Sequence, residues 1–214
     1  MPQPRHAMAL PAPTDAALER TLDDGMKKYF GVCREKLGML PNVLRSYAFR
    51  PAKLRNFVSF YNELMLGESK LSKLEREMIA VVVSSANHCY YCLVAHGQAV
   101  RELSGDPELG EMLAFNYRVA PLPKRQRAML DFAHKLTVAP STMDSADRAA
   151  LTRAGFSPEE IFDIADTAGF YNMSNRVATA LDMMPNPEYH GRSRQPAAAG
   201  KTVATAGGRR RRKG

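Results

Sequence analysis

Cys89 and Cys92 are separated by two tyrosines, and His96 follows four residues after the second cysteine. On a helix these three fall at about 0°, 300° and 340°, inside one stripe, while Tyr90 and Tyr91 point elsewhere. Cysteines three apart in the first turn of a helix can close a disulfide with modest adjustment. The free N–H groups and positive dipole end of that turn favour a thiolate. His96, one turn on, is within reach to move a proton to or from Cys92. The pattern points to dithiol–disulfide chemistry.

Glu77 is the second chemical feature. It shares a helical stripe with Leu74, Val81 and Ser84, in a segment whose C-terminal half is apolar on all sides. A carboxylate facing a core needs partners or a shared proton, and burial raises its pKa toward the range of a general base. The bland alternative is a surface carboxylate paired with Lys73. One continuous helix over 73–96 would hold Glu77 and Cys89 roughly 18 Å apart. Ser84-Ser85-Ala86-Asn87, poor in helix formers and rich in capping residues, permits a break. The spacing predicts two helices folded back on each other near Asn87.

The elements around this hairpin read as helical. Thr14 or Asp15 caps a segment expected to run to about Lys36, and Gly38 can end it. Arg50-Pro51 opens a helix that closes near Gly67. Ser72 with Glu75 makes a capping-box pattern. Further helices are expected after Asp106-Pro107, over about Lys124 to Thr137, from Ser145, and from Ser157-Pro158 to Leu181. No stretch shows strand alternation flanked by hairpin turns. The expectation is an all-α fold of seven or eight helices without a sheet. Residues 14–189 form its single domain, between disordered arms at 1–13 and 190–214.

Composition narrows the function classes. The longest apolar run, Met78 to Val83, is far short of the roughly 20 residues a bilayer span needs, so a membrane-spanning protein is not expected. The net charge of +8 resides in 190–214, which holds eight Lys and Arg and no carboxylate. The body is therefore neutral, nucleic acid is not an expected partner, and the Arg209–Lys213 run reads as a solvated end. Three cysteines, with Cys33 the odd one, are too few for a disulfide scaffold and suit a reducing, cytoplasmic setting. Cys33 reads as a packing residue and His88 as a solvent-facing loop residue. On the last long helix, Tyr171 and Asn175 share one face and Asn172 and Arg176 another. They could line a cavity, bond within the core or meet a second subunit.

Glu77, Cys89-Tyr-Tyr-Cys92 and His96 together resemble the active-site signature of alkyl hydroperoxidase D. Tyr91-Cys92 with His96-Gly97 is most similar to the peroxidase-related branch of the carboxymuconolactone decarboxylase superfamily. The resemblance runs from Gly38-Met-Leu-Pro-Asn42 to Arg176 and Pro185, through Leu136–Pro140 and Ala154–Ser157. It implies an alkyl hydroperoxidase D-like helical fold with a buried dithiol, assembled as a homo-oligomer of two, three or six chains. It also implies that Cys92 attacks a peroxide and becomes a sulfenic acid. Cys89 gives a proton and resolves the sulfenate to a disulfide, and Glu77 and His96 relay protons. The resemblance implies neither a cofactor nor a metal. It requires an external dithiol reductant of lipoyl or thioredoxin type. One departure stands out: the founding enzyme has histidine where this chain has Tyr91, and a phenol of pKa about 10 does not exchange protons near pH 7.

Three rival readings remain at this stage. Lactone decarboxylation does not need the two cysteines. A general dithiol oxidoreductase would use them on another substrate. A structural zinc site would need a fourth ligand beside Cys89, Cys92 and His96, for which His88 and Cys33 are candidates.

Overall fold

The computed structural model describes residues 6–195, which form eleven α-helices and two short 3-10 turns and contain no strand. The fold class agrees with expectation, and the count of seven or eight helices is too low. One reason is local. The first expected helix is two, α1 (Asp15–Thr21) and α2 (Asp24–Leu37), because the Asp23 side chain accepts the Met26 N–H and starts a new helix. The short α3 (Asn42–Tyr47) and α11 (Glu188–Gly191) carry too few residues for a periodic pattern.

The others are α4 (Pro51–Leu66), α5 (Lys73–Ala86), α6 (Tyr90–Ser104), α7 (Pro107–Asn116), α8 (Lys124–Val138), α9 (Ser145–Arg153) and α10 (Pro158–Ala180). Helix α5 is the axis of the core. Met78 to Val83 are fully buried, and α6, α7, α8 and α10 pack around them. This apolar run is thus the hub of the helical core. No helix among the described residues is long and apolar enough to cross a membrane.

Two capping boxes set the register of the helices that matter. Ser72 with Glu75 opens α5, and Ser157 with Glu160 opens α10. Arg125 of α8 then joins both boxes, reaching Glu75 and Glu160 at 2.5 Å each while lying over the Phe156 ring. Because these carboxylates are buried, their desolvation is offset by one shared guanidinium, which fixes the starts of α5 and α10 relative to each other.

The N-terminal arm is part of the same body from residue 6 onward. Ala9 N–H donates to Leu181 O at 2.8 Å, Met184 N–H donates to Ala7 O, and His6 pairs with Asp182. Met8 is buried between them. Of the arm expected at 1–13, residues 1–5 lie outside the described residues. Residues 196–214, with the Arg209–Lys213 run, lie outside them too.

Candidate active site

Helix α5 ends in a Schellman turn. His88 N–H donates to Ser85 O, Cys89 N–H donates to Ser84 O at 3.0 Å, and His88 between them adopts φ +54°. The same residue that closes this turn, Cys89, is the N-cap of α6. The reversal at Asn87 expected from Ser84-Ser85-Ala86-Asn87 is present, and His88 is exposed as expected.

Folding α6 back along α5 brings His96 against Glu77. Glu77 Oε2 lies 2.7 Å from His96 Nδ1, and Glu77 is only 8% exposed. The carboxylate is thus buried and paired with the imidazole, not with Lys73 at the surface. Engaging Nδ1 fixes the ring and leaves Nε2 available to a solute. Tyr171 of α10 adds its hydroxyl 3.5 Å from the same Nδ1 and meets the imidazole edge-on.

Cys89 and Cys92 are free thiols, both buried, and hydrogen-bond each other. The Cys92 thiol pulls the Cys89 pKa down from 9.0 to about 6. The Cys92 backbone N–H, the Thr179 hydroxyl and the nearby His96 act in the same direction. The same bond holds the proton on Cys92 and, with burial, pushes its pKa well up, against weaker opposition from Asn175 and Ser84. The resting pair therefore shares one proton, carried by Cys92. The main cause is the thiol–thiol interaction itself, with the Cys92 N–H a smaller contribution on the Cys89 side.

Opposite this stripe, α10 presents a second one at four-residue spacing. Tyr171 meets His96, Asn175 meets Cys92, and Thr179 meets Cys89. Asn175 is fully buried, donates to Ser84 Oγ at 3.0 Å and accepts from Asn87 Nδ2 at 3.0 Å. The α10 stripe thus ties the dithiol to the turn that presents it. Sequence reasoning left Tyr171 and Asn175 undecided and did not find Thr179; a polar residue every fourth position, 171, 175 and 179, was the available signal.

Tyr91 does not stand in for an imidazole. Its hydroxyl oxygen accepts the Val43 N–H at 3.0 Å, filling the capping place that Pro41 cannot fill at the start of α3. Burial pushes its pKa well above 10.0. Cys92 and His96 border an inner cavity of about 130 Å³, together with Tyr61, Tyr171, Tyr189 and Cys33. Burial raises the pKa of each of these phenols and of the Cys33 thiol, so the walls are neutral. Cys33 is therefore a wall of this cavity as well as a packing residue. Among the described residues, no three His, Cys, Asp or Glu side chains come together in a metal-binding group.

Helical hairpin, paired glutamate and dithiol define a class. The carboxymuconolactone decarboxylase family pattern matches residues 51–130. The chain belongs to that family, as an alkyl hydroperoxidase D-like member. It is similar to an uncharacterized peroxidase-related protein from Silicibacter sp. TM1040, at 60% identity over 91% of this chain and 100% of that one, with a TM-score of 0.84. A second solved structure, an alkylhydroperoxidase AhpD core described as an uncharacterized peroxidase-related protein from Ralstonia eutropha JMP134, shares 39% identity. It covers 91% of this chain and 100% of its own, with a TM-score of 0.85. The uncharacterized protein YnjA of Escherichia coli (strain K12) is 26% identical over 117 residues, 54% of this chain. The match spans 63% of that relative's length.

Proposed function

We propose that the protein is a thiol-dependent peroxidase that reduces hydrogen peroxide or small organic hydroperoxides. One observation carries this reading. A cysteine pair sharing one proton borders, through Cys92, the same small cavity as a histidine paired with a buried glutamate.

In this mechanism the peroxide occupies the inner cavity. Cys92 passes its proton to the Cys89 thiolate and attacks the terminal peroxide oxygen. A bond forms between sulfur and oxygen, the O–O bond breaks, and the leaving alkoxide or hydroxide takes a proton from the Glu77–His96 pair. Cys92 is then a sulfenic acid and Cys89 a thiol. Cys89 displaces the hydroxyl as water, with its own proton, and closes the disulfide. One proton from solvent restores the Glu77–His96 pair. The phenol-lined walls keep the cavity neutral and exclude bulk water.

An external dithiol returns the disulfide to its starting state, and the expected homo-oligomer and cytoplasmic setting belong to the same proposal. Stopped-flow measurement of peroxide-dependent thiol oxidation tests it. A wild-type rate well above that of Cys92→Ser is the expected result; equal rates would remove the peroxidase reading.

A further inference from the structure

A second cleft, of about 480 Å³, runs between α4 and α10, and Tyr47 of α3 and Met8 and Leu10 of the N-terminal arm also line it. That volume lies in the lower half of the roughly 300–1,000 Å³ typical of small-ligand sites. None of Glu77, Cys89, Cys92 and His96 borders it. Phe57 and Phe170 line both this cleft and the inner cavity, so they form the wall between the two spaces.

The two long sides of the cleft differ in chemistry. Phe170, Met173, Val177 and Leu181 make the α10 side apolar throughout. The α4 side changes along its length. Arg50, Lys53, Phe57 and Phe60 follow one another at three- and four-residue spacing on one face. Cations therefore stand at one end and aromatic rings at the other, with Arg50 and Phe60 about 15 Å apart along the helix. The aromatic end is closed by ring contacts: Phe60 meets Phe170 edge-on at 5.2 Å, and Phe57 stacks on Tyr47 at 4.1 Å.

The cations lack a counter-charge. Arg45 and Arg55, close by in sequence, hold Asp15 and Asp23. Arg50 and Lys53 are exposed, and neither has an ion pair among the described residues. They also sit at the positive end of α4, whose first turn contains no carboxylate, so they add to the local potential instead of neutralising it. Leu10, Phe49, Phe60 and Met173 leave apolar surface open at the same cleft. The chain's own 196–214 segment carries six Lys and Arg and no Asp or Glu, the wrong sign for this end.

We infer that this cleft binds a free long-chain carboxylate, with its head between Arg50 and Lys53 and its chain laid along α4 toward Phe60. A carboxylate supplies the missing charge, and an alkyl chain covers the apolar remainder. A concave site of this size surrounds a single chain, whereas a bilayer surface would touch only its rim. The inference stands apart from the peroxidase reading, because its readout is binding and not thiol oxidation.

Isothermal titration of the full chain with laurate, kept below its micelle concentration, tests it. Saturable binding of one laurate per chain is expected. Dodecyltrimethylammonium, with the same chain length and the opposite head charge, should bind at least about tenfold more weakly. The double variant Arg50→Gln, Lys53→Gln should weaken laurate about tenfold and remove the preference between the two heads. Met173→Trp, which fills the cleft from an exposed position, should weaken laurate by at least about tenfold. The proposal falls if laurate does not bind, if the two heads bind alike to wild type, or if Met173→Trp leaves the affinity unchanged. It falls too if phosphatidylglycerol vesicles retain the protein through Arg50 and Lys53 while laurate does not bind, which would make the face a membrane contact. Dissociation of an assembly by Phe60→Asp, with laurate unable to bind the wild type, would overturn it in favour of a contact between copies.

Discussion

Glu77 Oε2 lies 2.7 Å from His96 Nδ1, although a helix end and a turn separate the two residues in sequence. The contact exists because α5 and α6 reverse at Asn87, with ten residues back to Glu77 and nine forward to His96. A buried carboxylate placed this way orients the imidazole. Glu77→Gln keeps a hydrogen-bonding partner for Nδ1 and removes the charge. Peroxide-dependent thiol oxidation is expected to slow by about 10²-fold, with the helical circular dichroism spectrum unchanged. An unaltered rate across pH 5–9 would take Glu77 out of the proton route.

The shared proton of the dithiol predicts a thiolate in the resting protein. With the Cys89 pKa lowered to about 6, absorbance at 240 nm should show one thiolate per chain titrating near that pH. Cys92→Ala removes the S–H donor that is the largest cause, so the Cys89 midpoint should move upward toward its usual 9.0. A midpoint that stays in place would transfer the effect to the helix terminus alone.

The same shift gives stability a pH dependence. Cys89 ionises in the fold at about 6 and in the unfolded chain near 9.0, so between these values the unfolded chain binds more protons. Its contribution is complete above about 9 and is lost as pH falls through about 6. Cys92, raised in the fold, works oppositely above its ordinary pKa, so the gain should stop there. Urea denaturation of the reduced protein should show the margin over Cys89→Ser widening from pH 6 to pH 9. A constant margin would contradict the ionisation assigned to Cys89.

Much of this was legible in the sequence, and the remainder was hidden for identifiable reasons. Ser84-Ser85-Ala86-Asn87 carried the hairpin because capping residues in an otherwise apolar helix have few other uses. The Ser72–Glu75 capping box carried the start of α5, and Ser157-Pro158 carried that of α10. Asp23 was not seen to split the first helix, because its apolar stripe continues across the break. Tyr171 and Asn175 stayed undecided because a polar side chain on a buried helix reads the same whether it bonds within the core or faces a site. Only the partner, His96 or Cys92, distinguishes them. The arm at 6–9 is fixed by two backbone hydrogen bonds and one buried methionine, none of which composition reveals. Nor does spacing alone say which sulfur holds the proton, since that depends on how the two thiols and their buried neighbours meet in the fold.

Asn175 offers a test of how the α10 stripe supports the site. Its side chain donates to Ser84 and accepts from Asn87, holding the last turn of α5 while touching Cys92. Asn175→Leu fills similar volume but leaves Ser84 and Asn87 without these partners in a dry environment. A loss of about 2 kcal/mol in unfolding free energy is expected by urea denaturation, together with slower disulfide closure. A loss under a few tenths would mean that the turn holds itself.

Tyr91 is where this chain departs from the founding histidine, and its place in the fold decides what the departure does. Its hydroxyl oxygen accepts the Val43 N–H, and Asn186 Oδ1 accepts the Asn42 N–H one residue earlier, so the start of α3 depends on two distant side chains. Tyr91→Phe removes the first acceptor and leaves a partly buried donor, at an expected cost of about 1–2 kcal/mol. Since the phenol carries no proton in the route proposed above, the oxidation rate should stay within about twofold of wild type under conditions where the variant is folded. Tyr91→His should lose the same stability, because an imidazole is shorter and cannot reach Val43 as the phenol does. Faster oxidation in Tyr91→His with unchanged stability would place the residue in proton transfer instead of in the anchoring of α3.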